Sequence, residues 1–357
     1  MSDHETFMLR CLELAHKGLG RTHPNPMVGA VVVANGKIIG EGFHPASGQP
    51  HAEVFAIRSV SEPHLLTKST LYVNLEPCNH HGKTPPCTEL ILRSGIPKVV
   101  IAQQDPNPLV AGRGIKRLQR EGVEVITGVL ESEARYLNRR FNTFHEQKRP
   151  YIILKWAESK DGFIDIKRTA GDGQSPVRIT RGLSHLLVHR WRSEEPAILV
   201  GAHTLQLDNP RLNTRDWGGP NPLRIVLTRS PQLLAPGREN NQKLHFFDGT
   251  QPTLIFSPQH FLSQTNPEYI SLNFSQPVWP QIFNELYQRN ILSLLVEGGR
   301  YTLQSLIDTH TWDEVRVLKG GTDISAGISA PALSIKFKEE TPIGQNIFLF
   351  SDHNRIP

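Results

Sequence analysis

Residues 50–54 read PHAEV and residues 75–87 read LEPCNHHGKTPPC. The first stretch opens a helical pattern from about His51 to Val60, and the second joins the strand pattern TLYVNL (70–75) to a helix that starts near Pro86. His51, Cys78 and Cys87 together offer Zn²⁺ one imidazole and two thiolates. Three protein ligands leave the fourth tetrahedral position for water, which is the arrangement of a catalytic site rather than a closed structural one. Helix N-termini aimed at the metal stabilise thiolates and lower their pKa values. Glu53, two residues beyond His51, is then placed to take a proton from the zinc-bound water and hand it on, and it is not itself a ligand. Two readings compete with this one. The three residues are unrelated, or they form a structural site completed by His80 or His81.

Outward from this centre the pattern is α/β. Residues 4–20 put Phe7, Met8, Cys11, Leu12, Leu14, Ala15 and Leu19 mostly on one helical face, which makes Cys11 a core residue. VGAVVVA (28–34), Asn35-Gly36 and KIIGEGF (37–43) predict a hairpin, because Asn-Gly supplies the positive φ of a tight turn. Strands at 70–75, 98–102 and 123–127 alternate with helices at 86–94 and 115–120, so a mainly parallel sheet covered by helices is expected. A helix over 130–147 then runs into Lys148-Arg149-Pro150, where the domain boundary is placed: residues 1–147 and 148–357. The second part repeats the class. It has strands at 151–157, 197–201, 223–228, 245–247, 253–256 and 292–297, helices at 181–194, 280–289 and 301–308, C-terminal strands, and a loop over 258–278.

Composition narrows the function classes. With 357 residues, 38% hydrophobic and 20% charged, the chain has the make-up of a two-domain globular protein. No apolar run approaches the roughly 18 residues of a membrane span, the N-terminus does not read as a signal peptide, and three cysteines are no disulfide framework. A cytoplasmic protein without membrane partners is expected. The net charge of +5 is scattered rather than clustered, which suits a small phosphorylated substrate better than nucleic acid. Gly112-Arg113-Gly114 is no dinucleotide fingerprint, since Arg117 stands where the third glycine belongs.

Zinc-dependent nucleobase deaminases carry a related signature with two residues between the cysteines, where this chain has eight. With that longer loop, THPNPMVGAVVV (22–33), PHAEV, LEPCNHHGKTPPC and DPNPLVAGRG (105–114) resemble the bifunctional deaminase/reductase family of riboflavin biosynthesis. The resemblance implies a cytidine-deaminase-like α/β/α domain that deaminates a pyrimidinone bearing a phosphoribosylamino arm. It also implies substrate contacts from Asn25, His44, His80, Lys83, Asp105 and Asn107. Lys83 suits a phosphate, whereas Asn25 and Asp105 read equally well as loop residues that cap turns.

The second half carries LKWAESKDG (154–162), HRWRSE (189–194), AILVGAHTLQLDNPRLNTR (197–215), PLRIVL (222–227) and LVEGGRYTLQSL (295–306). In this order they are similar to the family's reductase, which implies a dihydrofolate-reductase-like α/β domain that uses NADPH to open the ribosyl group into a ribityl chain. By that resemblance Lys155, Asp208 and Glu297 surround the reacting carbon, Arg192 and Arg215 clamp the phosphate, and Leu212 adds a substrate contact. Glu158, Arg178, Thr204, Asp208, Gly299, Arg300 and Tyr301 would line the cofactor, whose pyrophosphate suits a glycine turn at a helix N-terminus. Arg192 also reads as a helix-end cation favoured by the macrodipole. Where many members have Ser-x-Trp-Ile-Thr, this chain has Ser175-Pro176-Val177-Arg178-Ile179-Thr180, with Arg178 in place of the aromatic residue.

A homo-oligomer is expected. The alternative functions are a tRNA or single-strand deaminase, which would need an aromatic and basic platform that a 7% aromatic content does not suggest, and a non-enzymatic zinc protein, which would not need Glu53.

Overall fold

Asn35 and Gly36 take φ of 50° and 71° and turn β1 (Gly29–Ala34) back along β2 (Lys37–Phe43), as Asn-Gly predicts. The computed structural model describes residues 2–80, 85–108, 110–169, 174–235, 243–259, 261 and 266–352. The chain divides into two compact units, Met1–Lys148 and Arg149–Pro357.

In the first unit α1 (Asp3–His16) precedes the hairpin, and α2 (Ala52–Arg58), β3 (Thr70–Leu75), α3 (Cys87–Arg93), β4 (Lys98–Gln103), α4 (Arg113–Arg120), β5 (Glu124–Thr127), α5 (Glu131–Leu137) and α6 (Arg139–Gln147) follow. The sheet order is β2-β1-β3-β4-β5. β1 runs antiparallel to both neighbours, while β3, β4 and β5 are parallel. Alternate strand residues face opposite ways. Ala30, Val32, Leu71, Val73, Val99 and Ile101 therefore pack with Ala56, Ile91 and Leu118 of α2, α3 and α4. Val31, Val33, Tyr72, Val100 and Ala102 pack with Met8, Cys11 and Leu14 of α1 and Ala134 of α5. The outcome is a three-layer α/β/α unit with Cys11 fully buried, as expected.

The second unit contains β6 (Tyr151–Glu158), β7 (Phe163–Asp165), α7 (Leu183–Glu194), β8 (Ala197–Gly201), α8 (Ala202–Asp208), β9 (Leu223–Leu227), β10 (Thr253–Ser257), β11 (Glu268–Ser271), α9 (Val278–Gln288), β12 (Ser293–Val296), α10 (Arg300–Asp308), β13 (Glu314–Lys319), β14 (Ile328–Ser329), β15 (Glu339–Ile343) and β16 (Asn346–Asp352). Nine strands lie in the order β11-β10-β9-β8-β12-β6-β13-β16-β15, and β7 pairs with β14. From β11 to β13 every pairing is parallel, and β16 and β15 close the sheet antiparallel. Ile152, Leu154 and Leu199 face α9 and α10, whereas Tyr151, Ile153 and Ile198 face α7 and α8, so both faces are covered.

The structure departs from the sequence reading at identifiable places. Residues 245–247, expected as a strand, form a 3-10 turn: Phe246 is buried as a plug under Arg224, whose Nη1 donates to the His245 carbonyl at 2.7 Å and so removes it from any ladder. Residues 258–278, expected as loop, contain the edge strand β11. Its Tyr269 is buried and donates to the Leu234 carbonyl at 2.7 Å. Helix α8 was not expected, and α1 stops at His16 rather than near residue 20.

The single helix expected over 130–147 is two helices, broken at Asn138. The buried Asn138 amide acts as a substitute peptide: Oδ1 accepts from Met27 N–H at 2.9 Å and Nδ2 donates to Met27 C=O at 2.9 Å. Asn138→Ala leaves Met27 N–H without this acceptor and is expected to cost about 2–3 kcal/mol. Because all five tryptophans (156, 191, 217, 279 and 312) lie in the second unit, the loss should appear in the far-ultraviolet dichroism melt and not in tryptophan emission. An unchanged dichroism melt would contradict this role.

Candidate active sites

In the first unit, His51 directly precedes α2, Cys87 is the first residue of α3, and Cys78 follows β3 by way of Glu76 and Pro77. His51 Nδ1 is 3.5 Å from Cys78 Sγ and 3.4 Å from Cys87 Sγ, and the three ligand atoms all lie within 4.8 Å of one another. The Cys87 backbone N–H donates to Cys78 Sγ at 3.3 Å. The Cys78 thiol is held well below its ordinary value, first by its hydrogen bond with Cys87 and then by His51. Zn²⁺ would replace protons that these groups share, so binding releases protons.

Glu53 lies in the first turn of α2, 3% exposed, and its Oε2 has no hydrogen-bond partner among the described residues. Burial raises its carboxyl, with His51 pulling the other way. A buried carboxylate with an idle oxygen, beside an S₂N donor set, fits a metal that presents a proton-bearing ligand. His80 is exposed and stands outside the donor cluster, while His81 and Lys83 lie outside the described residues.

Around these donors His44 is buried, its Nδ1 3.0 Å from the Pro50 carbonyl and its Nε2 3.1 Å from Asn25 Nδ2. A carbonyl only accepts, so the His44 proton sits on Nδ1 and Nε2 accepts from Asn25. Burial pushes the Asp105 carboxyl up to about 6, and its Oδ1 accepts from Asn107 N–H at 2.8 Å.

Glu76 was not singled out from the sequence. Its carboxylate accepts four backbone N–H groups: Asp105 (3.2 Å), Gly112 (2.9 Å), Gly114 (2.8 Å) and Ile115 (3.2 Å). It thereby ties the 105–115 segment to the residues preceding Cys78. A Cβ added at Gly114 would stand 2.1 Å from the Pro77 carbonyl oxygen, so glycine is required there. The available signal was an acidic residue immediately before Pro77-Cys78.

In the second unit a cleft of about 1230 Å³ is lined by Lys155, Arg178, Arg192, Thr204, Asp208, Arg215, Glu297, Gly299, Arg300 and Tyr301. At its base, Arg192 forks onto Glu297 through Nε (2.9 Å) and Nη2 (2.8 Å), and Lys155 Nζ is 3.5 Å from Glu297 Oε2. Burial alone would raise Glu297, but Arg192 and Lys155 outweigh it and hold the carboxyl at about 2. Burial, in turn, lowers Lys155. Arg192 is thus committed to Glu297, whereas Arg215 is more exposed and reaches Asn213 Oδ1 at 3.1 Å.

Gly299 N–H donates to Thr204 Oγ1 at 2.9 Å where α10 begins. A Cβ at Gly298 would meet Gly201 N at 2.6 Å, and one at Gly299 would meet Thr204 Oγ1 at 2.9 Å. The cradle admits only glycine at Gly298, leaving backbone N–H groups at a helix start, which suits a pyrophosphate.

Two expected contacts are elsewhere. Leu212 is 2% exposed and belongs to the core beside Trp191 and Leu205, and Glu158 accepts Trp156 Nε1–H at 2.8 Å; neither lines the cleft. Arg168, unread in the sequence, is a buried cation shared by Asp165 and Asp208. Asp165, three residues before it, is a local partner, but Asp208 lies 40 residues away. Asp165 also accepts Val177 N–H at 3.0 Å, which anchors the segment that contains Arg178.

A family model for the cytidine and deoxycytidylate deaminase zinc-binding region matches residues 1–103, and one for the RibD C-terminal domain matches residues 150–320. The riboflavin biosynthesis protein RibD of Synechocystis sp. is 39% identical, over 97% of this chain and 89% of its own. That of Aquifex aeolicus is 38% identical, over 94% of this chain and 92% of its own. The crystal structure of a Thermotoga maritima diaminohydroxyphosphoribosylaminopyrimidine deaminase/5-amino-6-(5-phosphoribosylamino)uracil reductase superposes with a TM-score of 0.83 at 38% identity, covering 98% of each chain. Nearly full-length identity at this level, on a chain with both a three-donor metal pocket and a glycine-cradled cleft, means that it belongs to the RibD family of bifunctional riboflavin-biosynthesis enzymes, with a zinc-dependent deaminase domain and an NADPH-dependent reductase domain.

Proposed function

We propose that residues 1–147 deaminate 2,5-diamino-6-(5-phosphoribosylamino)pyrimidin-4-one, and that residues 148–357 then reduce the ribosyl group of 5-amino-6-(5-phosphoribosylamino)uracil to a ribityl chain. The observation that carries the reading is the buried Glu53 carboxylate with an idle oxygen beside His51, Cys78 and Cys87. When bound, Zn²⁺ supplies an acidified water to the first reaction, and NADPH supplies hydride to the second.

In the deaminase, Glu53 moves the proton from water to the leaving amine, and its raised carboxyl lets it hold that proton between the two transfers. Asn25, oriented by the single His44 tautomer, and Asp105 with Asn107 bind the ring and sugar. Lys83 would meet the phosphate and His80 would add a substrate contact. In the reductase, Lys155 is the proton donor to the sugar oxygen as the ring opens. Burial makes its ammonium more acidic, and Glu297, pinned by Arg192, fixes its position. Arg215 binds the phosphate, Thr204, Gly299, Arg300 and Tyr301 hold the cofactor, and Asp208, itself paired with Arg168, faces the substrate. The same reading has the chain acting in the cytoplasm as a homo-oligomer on a small molecule. Among the described residues no helix is long and apolar enough to cross a membrane.

Glu53→Ala should leave zinc content at the wild-type level while ammonia release from the diaminopyrimidine falls by roughly 10²–10⁴-fold. Turnover at the wild-type rate would sink the deaminase assignment. Lys155→Met should keep full deaminase activity yet lower NADPH oxidation on the deaminated product by about 100-fold or more, followed at the nicotinamide absorbance band. Wild-type oxidation rates in that variant would remove Lys155 from the reaction.

A further inference from the structure

Helix α7 presents His185 and His189 four residues apart on one face, where a helix can offer two imidazoles to one ion. Asp216 lies across from them. His185 Nε2 is 3.0 Å and His189 Nε2 is 3.1 Å from the same oxygen, Asp216 Oδ2, and the ligand atoms all fall within 4.8 Å of one another. Two ligands held about 2.0–2.1 Å from a tetrahedral Zn²⁺ stand roughly 3.3 Å apart, so small side-chain shifts would admit an ion between them.

A second observation is independent of that spacing. His189 is fully buried and, among the described residues, neither of its ring nitrogens makes a hydrogen bond, although Nε2 is 3.1 Å from the Asp216 carboxylate. Buried polar nitrogens are almost always satisfied, and a cation between Nε2 and the Asp216 carboxylate would satisfy that nitrogen.

We infer that His185, His189 and Asp216 form a second divalent-metal site, separate from the cysteine-containing one and selective for borderline transition ions such as Zn²⁺. Imidazole and carboxylate together favour such ions over Mg²⁺, which prefers an all-oxygen octahedron. The side chains of His185 and Asp216 are 42% and 39% exposed, so the ion has a path in and a fourth position open to water. Of the nearby cations, Arg192 is neutralised by Glu297, while Arg215 Nε, 3.4 Å from Asp216 Oδ2, is the group that the ion displaces.

Calorimetric titration of the full chain, already carrying zinc at its cysteine site, with further Zn²⁺ tests this. Wild type should show one additional binding event, and both His185→Ala and Asp216→Asn should weaken it by at least tenfold. Both substitutions are at partly exposed positions, so folding should survive, and tryptophan emission checks this in the same samples. Co²⁺ should also quench that emission, since Trp217 adjoins Asp216 in the chain, and should do so in wild type but not in His185→Ala. No additional binding in wild type, or equal binding and quenching in the variants, would overturn the site.

Discussion

The carboxylate of Glu76 holds the deaminase site together. It sits at the end of β3, immediately before Pro77 and Cys78, and accepts N–H groups from Asp105, Gly112, Gly114 and Ile115. Each hydrogen bond to a charged group contributes about 1.5–3 kcal/mol, so the four outweigh any single apolar contact nearby. One buried charge therefore fixes three things at once: where Cys78 leaves the strand, where α4 begins, and where Asp105 enters the pocket. Gly112, at φ 72°, and Gly114, against the Pro77 carbonyl, let the backbone come close enough to supply those donors.

The second unit solves the same problem with side chains. Glu297 follows β12 as Glu76 follows β3, and both strands lie inside their sheets, β12 between two parallel neighbours and β3 with β4 parallel and β1 antiparallel. Ligand sites of such sheets gather at the carboxyl ends of the strands. Here the buried charge is met by Arg192 and Lys155 instead of by amides. The difference suits the two chemistries. In the proposed reactions Glu76 has only to hold a loop around a metal, whereas Glu297 would position the ammonium that gives up a proton.

Much of this was legible in the sequence because it depends on local rules. Asn35-Gly36 dictates a hairpin turn, and the donor set His51, Cys78 and Cys87 with Glu53 dictates one class of hydrolytic chemistry. What was illegible depends on partners distant in the chain. Asn138 looks like any helical asparagine until Met27 is seen across from it, and residues 245–247 read as a strand until Arg224 takes their carbonyl. Tyr269 marks an edge strand too short to stand out from its polar surroundings. Arg168 and Leu212 show the same limit at the reductase site: one gains half of its role from Asp208, 40 residues away, and the other, within a motif that implied ligand contact, turns inward to the core.

Two successive reactions on one phosphorylated pyrimidine are assigned to this single chain. Mass analysis of the products formed from the diaminopyrimidine, with and without NADPH, addresses this assignment most directly. The ribosylamino-uracil should accumulate without NADPH and convert to the ribitylamino form when NADPH is added. Reduction of the sugar on the undeaminated ring, or no change in the pyrimidine under either condition, would contradict the assignment.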